Sequence, residues 1–344
     1  MTEIMTRDVA LNKISSDIAE LEGILESVVA NDTGILDALS QMLSALHQMQ
    51  RKNEQLQKRV TDELSALNEA VQQLDLRARS LQKAIVVEGD SSADQNPEDG
   101  LLEFLFAFLS NTTAIDIGAN VGRVSERLLA AGYTVYAFEP YRPSFQKLTE
   151  RLSGQKNFHA FEYAIGSGDS TMNLNVAADT SGEDKWDPTL FHSLTDHAML
   201  EDCKFTSTLP VKVRSLESLQ KAGEIPESAG LLKIDTEGFD LNVIRGMGSG
   251  KFSVVMTEYW DPVHPFGVSG HGRLEDTVKE MKARGFAWYI VIYHVDETST
   301  ISYYSNRLRT VPKSWGNALF FSDHATFAHA IRWCGEVLPP TLYR

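Results

Sequence analysis

The sequence predicts an α/β domain, with helices on both faces of a mostly parallel sheet, preceded by a long α-helical coiled coil. Three observations predict it. Apolar residues recur in steps of three and four over residues 11–85. From residue 101 onward, apolar strand-like runs alternate with amphipathic helix-like runs. Several of those strand-like runs end in an acid followed closely by glycine.

The heptad count opens at Leu11, Ile14, Ile18, Leu21, Leu25 and Val28. It continues through Asp32, Ile35, Leu39, Met42, Leu46, Met49, Asn53, Leu56 and Val60. One inserted step of four precedes Leu64, Leu67, Val71, Leu74, Ala78, Leu81 and Ile85. A 3.5-residue repeat keeps an apolar seam on a partner helix, and an inserted four locally unwinds the supercoil. Asn53, at an a position, trades stability for register. The count runs unbroken through Asn31-Asp32-Thr33-Gly34, which predicts a continuous rod of about 110 Å at ~1.5 Å per residue. A helical hairpin breaking at that tetrapeptide is the alternative, since Thr33 suits a cap and Gly34 a helix end. The rod implies a homo-oligomer through a parallel coiled coil, dimer or trimer. The predicted regions are a coiled coil over 1–87, an acidic linker over 88–100 and a globular domain over 101–344.

In that domain Leu101–Leu109 reads as a helix covering the sheet. Thr113–Ile117, Thr134–Phe138 and Phe158–Ile165 read as strands, with helices at Val121–Ala131 and Pro143–Leu152 between them. Gly230–Ile234, Leu241–Gly246 and Ser253–Thr257 continue the alternation, followed by a helix at Leu274–Arg284. Trp288–Tyr293 and Ala318–Phe321 read as the last strands.

Composition narrows the chemistry. The 344 residues are 42% hydrophobic and 23% charged, with a formal net charge of -15. Such a surface repels phosphate backbones, so no nucleic-acid partner is expected. Two cysteines, Cys203 and Cys334, cannot build a disulfide framework. No secretory signal is visible in Met1–Ala10, and no transmembrane segment is expected. A cytoplasmic protein is the expectation.

Three stretches carry chemistry. In Ala114-Ile115-Asp116-Ile117-Gly118-Ala119-Asn120-Val121-Gly122, Gly118 allows a tight turn and Gly122 a close helix approach. Asp116 would repel a pyrophosphate but suits a cationic amino-acid portion. Asn120 replaces the middle glycine of the dinucleotide fingerprint. In Val135-Tyr136-Ala137-Phe138-Glu139-Pro140 the next strand ends in Glu139, 21 positions after Gly118. A carboxylate there can accept both ribose hydroxyls of an adenosine. A ligand with a ribose and a positive charge is S-adenosylmethionine. In Leu232-Lys233-Ile234-Asp235-Thr236-Glu237-Gly238-Phe239-Asp240 three carboxylates crowd one strand end, a costly arrangement more often functional than accidental. Glu258 closes the following strand, with Tyr259, Trp260 and His264 after it.

These stretches resemble the FkbM family of S-adenosylmethionine-dependent methyltransferases. Ala164-Ile165-Gly166, Val213-Arg214-Ser215-Leu216-Glu217 and Asn317-Ala318-Leu319-Phe320 match further landmarks of that family in the same order. The likeness runs from about Thr112 to Phe321 and leaves out the heptad region. It implies the Rossmann-like class I methyltransferase fold, a seven-stranded, mostly parallel sheet with the last strand antiparallel. It implies O-methylation, often of sugars or polyketide-linked groups, and so an acceptor that is a sugar or glycan intermediate in polysaccharide biosynthesis. By the same resemblance Asp116, Gly118, Asn120 and Gly122 would hold the methionine portion, Glu139 the ribose, and Ala164 and Ile165 would border the adenine. Asp235 and Glu237 would sit where methyl meets acceptor. Asp240 stands where the family usually has Glu, which favours a capping or packing role.

A sugar hydroxyl must lose its proton near the transition state. Asp235, Glu237, Glu258 and His264 are the candidates, with His192 behind them. No metal is required, since the carboxylates suffice; an ion across Asp235, Glu258 and His264 is the alternative. Trp186, His192 and Trp260, with Phe191 and His197, are candidates for an acceptor wall. Two competing readings are a non-catalytic coiled-coil scaffold with a degenerate domain, against which Asp116, Gly118 and Glu139 are intact, and an NAD-dependent oxidoreductase, against which the fingerprint is missing.

Overall fold

A computed structural model of the chain describes residues 13, 15–24, 33–85, 96–185, 187–196 and 201–339. The chain divides into two compact units, Met1–Gln73 and Leu74–Arg344. Among the described residues no helix is long and apolar enough to cross a membrane.

The first unit holds helix α1 (residues 15–24) and most of α2 (Thr33–Ile85), a helix of 53 residues. The long helix predicted from the heptads is present. The continuous rod is corrected: His47 Nε2 lies 3.4 Å from Glu22 Oε1. In one unbroken helix those residues would stand about 37 Å apart at ~1.5 Å per residue. The chain therefore reverses between α1 and α2, as the Asn31–Gly34 hairpin alternative requires; residues 25–32 themselves lie outside the described ones. Ile18 is buried by the reversal.

The second unit takes in the end of α2 from Leu74 and then α3 (Pro97–Leu105), which holds the last four residues of the predicted linker. Pro97 in the first turn and Glu98 and Asp99 beside it are good helix starters, because proline lacks an amide that would be unsatisfied there and acids oppose the positive end of the helix. Residues 86–95 of the linker region lie outside the described ones.

Then follow β1 (Thr113–Ile117), α4 (Arg123–Ala131), β2 (Thr134–Phe138), α5 (Arg142–Arg151), β3 (Phe158–Phe161), β4 (Ala164–Ile165), β5 (Ser170–Asp179), β6 (Cys203–Arg214), α6 (Leu216–Lys221), β7 (Ser228–Ile234), α7 (Asp240–Arg245), β8 (Lys251–Trp260), α8 (Leu274–Ala283), β9 (Trp288–Val295), β10 (Thr300–Ser305), β11 (Trp315–Phe321) and α9 (His324–Val337). The main sheet has eight strands in the order β10-β9-β11-β8-β7-β1-β2-β3. β11 lies antiparallel between β8 and β9, as the family likeness implied for the last strand. The expected count of seven is exceeded by β10, which folds back on β9 as an antiparallel edge. A second sheet, β4-β6-β5, rises from the chain between β3 and β7. The alternation Met172, Leu174, Val176 in β5 is its sequence signal.

Alternate strand residues feed two cores. One joins Ile115, Leu232 and Val255 to α6, α7 and α8. The other joins Ala114, Leu231 and Met256 to α3, α4, α5 and α9. Register then sets the rim. Ile117 pairs with Phe138 and Ile234, and Ile234 with Thr257. One residue beyond each stand Gly118, Glu139, Asp235 and Glu258, so four parallel strand ends present them side by side. Ligands of such sheets bind outside those carboxyl ends.

Candidate cofactor and methyl-transfer site

Beyond β1 the chain turns sharply. Gly118 (φ 75) and Asn120 (φ 48) adopt left-handed backbone. A Cβ on Gly118 would sit 1.7 Å from the carbonyl oxygen of Asp235, so only glycine fits where β1 and β7 come together. The amides of Gly118 and Ala119 both donate to the Phe138 carbonyl, at 3.0 Å each. That ties the first turn to the end of β2. Glu139 completes the join: its two oxygens accept from the amides of Asn120 (2.9 Å) and Tyr141 (2.8 Å). Each oxygen keeps a second lone pair for a ligand hydroxyl. Burial pushes the Glu139 carboxyl up to about 7, against the pull of those two amides.

A cavity of about 320 Å³ opens over this turn, a size typical of small-molecule sites. Gly118, Asn120, Glu139, Ala164, Ile165 and His192 are on its wall, as are Lys233, Asp235 and Glu237. The predicted cofactor residues are thus brought together, with two exceptions. Gly122, in left-handed backbone, faces α5 instead, where a Cβ would meet Leu148 at 2.6 Å. Asp116 is fully buried behind the wall. One of its oxygens accepts from Ser125 Oγ (2.6 Å), and the other lies 3.1 Å from Lys233 Nζ.

Lys233 is the residue that the sequence reading missed. It is buried, 3.1 Å from Asp116 and 3.3 Å from Asp235, and its pKa is raised by those two carboxylates. Inside an apolar strand such a lysine must be paired, which was the available signal.

Asp235, Glu237 and Glu258 offer oxygens that all lie within 4.8 Å of one another. That spacing would let one cation span them, and it also makes them a shared proton site. Burial, joined by mutual repulsion, pushes the Glu237 and Glu258 carboxyls well above the usual range. Glu237 sits in left-handed backbone (φ 52), and its carbonyl accepts from Ser193 Oγ (2.6 Å) and Thr195 Oγ1 (3.2 Å). Asp240 does not face the acceptor: it accepts from the amides of Thr236 (3.0 Å) and Glu258 (2.8 Å), binding the turn to β8. The contacts give the packing role and not the capping one, since neither amide belongs to α7.

The remaining candidates separate. Trp260 is buried, and its indole hydrogen-bonds Glu258; a Cβ on Gly238 would press on its ring at 2.9 Å. It holds the cluster and does not wall an acceptor. His264 is buried outside the cavity wall, its Nδ1 accepting from the Phe266 amide (3.3 Å), and burial lowers its pKa. The carboxylate–His264 metal alternative therefore loses its histidine. His192 lies on the cavity wall, edge-on to Tyr141 (4.3 Å), with Nδ1 accepting from the Ala177 amide (3.1 Å); burial lowers its pKa to about 4. Trp186 and His197 lie outside the described residues. Phe191 meets Phe266 at 6.0 Å and is not on the cavity wall, whereas its neighbour Leu190 is.

Residues 116–286 match the methyltransferase FkbM domain. Among curated proteins none matches the chain in sequence. Among solved structures, one similar chain is an FkbM methyltransferase from Methylobacillus flagellatus KT, with 14% identity and a TM-score of 0.36. That match covers 61% of this chain and 43% of that one, so this chain spans less than half of that relative's length. A precorrin-6y C5,15-methyltransferase from Geobacter metallireducens GS-15 is 9% identical with a TM-score of 0.35, covering 68% of this chain and 93% of its own. An rRNA methylase from Streptococcus thermophilus is 10% identical with a TM-score of 0.33, covering 66% and 97%.

Proposed function

We propose that this chain, whose residues 116–286 match the methyltransferase FkbM domain, methylates a hydroxyl oxygen of a sugar or glycan intermediate, with S-adenosylmethionine as methyl donor. One observation carries the reading: the half-buried Asp235–Glu237–Glu258 cluster, with Asp235 and Glu237 on the wall of a nucleoside-sized cavity. The cofactor supplies a methyl already activated on sulfonium sulfur. The chain's own residues do the rest. Glu139 binds the ribose hydroxyls, and Ala164, Ile165 and His192 border the base. The Glu237–Glu258 pair takes the acceptor's proton as the C–O bond forms and the S–CH₃ bond breaks, leaving a methyl ether, S-adenosylhomocysteine and one protonated carboxyl. Raised carboxyl pKa values bring such a pair nearer to working pH, where proton transfer is most efficient. Asp235, with 40% of its side chain exposed, passes the proton out to water.

We further propose that α2 pairs with a second copy in a parallel coiled coil. Ile35, Met42, Met49, Leu56, Leu64, Leu67 and Leu74 are exposed on this helix, and a stripe that long needs a partner. A cytoplasmic setting fits the two cysteines, both free and buried.

Isothermal titration of the full chain with S-adenosylmethionine and S-adenosylhomocysteine tests the cofactor. A search by mass spectrometry for a 14-dalton gain on candidate glycans tests the acceptor (one CH₂ per transfer). Binding of neither nucleoside would remove the proposal.

A further inference from the structure

The acid predicted to meet the cofactor's ammonium is already engaged. Asp116 has no exposed surface, and Ser125 and Lys233 hold its two oxygens. Another acid stands on the cavity wall. Asp99, in the first turn of α3, is a wall residue together with Asn96 and Arg123. Asp99 Oδ2 meets Arg127 at 3.2 Å. Arg127 is one turn along α4 from Arg123, on the same helix face. Asp99 and Arg123 therefore stand close together over the start of α4.

The three side chains suit a zwitterion. Arg123 is exposed and makes no ion pair among the described residues. Asn96 occupies the N-cap of α3, yet its side chain caps nothing. The amides opening α4 favour a carboxylate beside Arg123. The segment is also held rigidly. Glu98, buried between Pro97 and Asp99, lies 2.8 Å from His294 Nε2 on β9 and accepts from Asn317 Nδ2 (3.4 Å) on β11. That anchor fixes where Asn96 and Asp99 stand.

We propose that Asn96 and Asp99, which precede the matched domain, complete the cofactor site with Arg123 by holding the amino-acid end of S-adenosylmethionine. Asp99 takes the ammonium, Arg123 the carboxylate, and Asn96 hydrogen-bonds the same end. The assignment rests on the cofactor reading above. Burial pushes the Asp99 carboxyl up to about 6, and an ammonium at the site would favour its ionised form.

Titration of full-length protein with S-adenosylhomocysteine and with 5′-methylthioadenosine tests it, because the second compound keeps the nucleoside and lacks the amino-acid end. Asp99→Asn and Arg123→Gln should each weaken S-adenosylhomocysteine at least tenfold and leave methylthioadenosine within twofold. Arg127→Gln breaks the same ion pair from its other side and should leave the ratio of the two affinities as in the wild type. Undiminished S-adenosylhomocysteine binding by Asp99→Asn overturns the assignment. So does loss of both compounds in that variant, or a ratio shifted as far by Arg127→Gln. Wild-type protein that binds neither compound overturns the cofactor reading itself.

Discussion

The ammonium of Lys233 lies 3.1 Å from a carboxylate oxygen of Asp116, and the two side chains are 3% and 0% exposed. This buried pair joins β7 to β1 directly beneath the cavity. Breaking a buried pair by removing one partner leaves an uncompensated charge, at about 3–5 kcal/mol. Lys233→Met should lose stability of that order in chemical denaturation. Lys233→Met with Asp116→Asn should recover part of it, because the stranded carboxylate is gone. Equal loss in the single and double variants would show that the pair contributes nothing as a pair.

Glu237→Gln and Glu258→Gln should lower kcat by about 10²–10⁴-fold, the range of a positioned proton acceptor. Affinity for S-adenosylhomocysteine should stay within about twofold. Stopped-time assays beside titration separate the two quantities, and a matched fall in both would mean that these acids serve the cofactor instead.

Glu139 predicts a pH dependence with a definite sign. Its carboxyl is raised from 4.5 to about 7 by burial, and it accepts ribose hydroxyls fully only when ionised. Affinity for S-adenosylhomocysteine should therefore rise from pH 6 to pH 8 and level off above. The unliganded protein should do the opposite. A raised carboxyl contributes stability below pH about 4.5 and loses it as pH climbs through about 7. Glu139→Gln should flatten both trends over that window, as read by titration and by melting temperature at each pH.

Light scattering should give the full chain a mass that is a multiple of its own. Leu56→Glu with Leu64→Glu, both on the exposed stripe of α2, should reduce it towards one copy without lowering S-adenosylhomocysteine affinity. An unchanged mass would place the subunit contact elsewhere.

The rim was legible because a parallel strand buried on both faces reads as an apolar run, and an acid terminating one has few reasons to be there other than a ligand. Asp116, Glu139 and Asp235 announced themselves that way. What the sequence hid was which acid faces the cavity. Lys233 reads as one polar residue in Leu231-Leu232-Lys233-Ile234, and only folding sets it between Asp116 and Asp235. Asp99 lies in a stretch whose acids, glycines and single proline read as a linker, although that Pro97 starts a helix there. His264 follows an acid-ended strand in sequence, but its burial outside the cavity wall is a tertiary fact. The heptad count was also misleading across residues 25–32, because a hairpin of two amphipathic helices preserves the same periodicity as a rod.

Ser193 and Thr195 place both hydroxyls on the carbonyl of Glu237. They belong to the segment whose Leu190 is on the cavity wall. Under the proposed function, a shift of that loop reaches the proton-accepting pair through those two hydroxyls. A foreign loop grafted here without that pair of hydroxyls should leave the Glu237 carbonyl unanchored, and under the proposed function it should lose turnover whatever the acceptor.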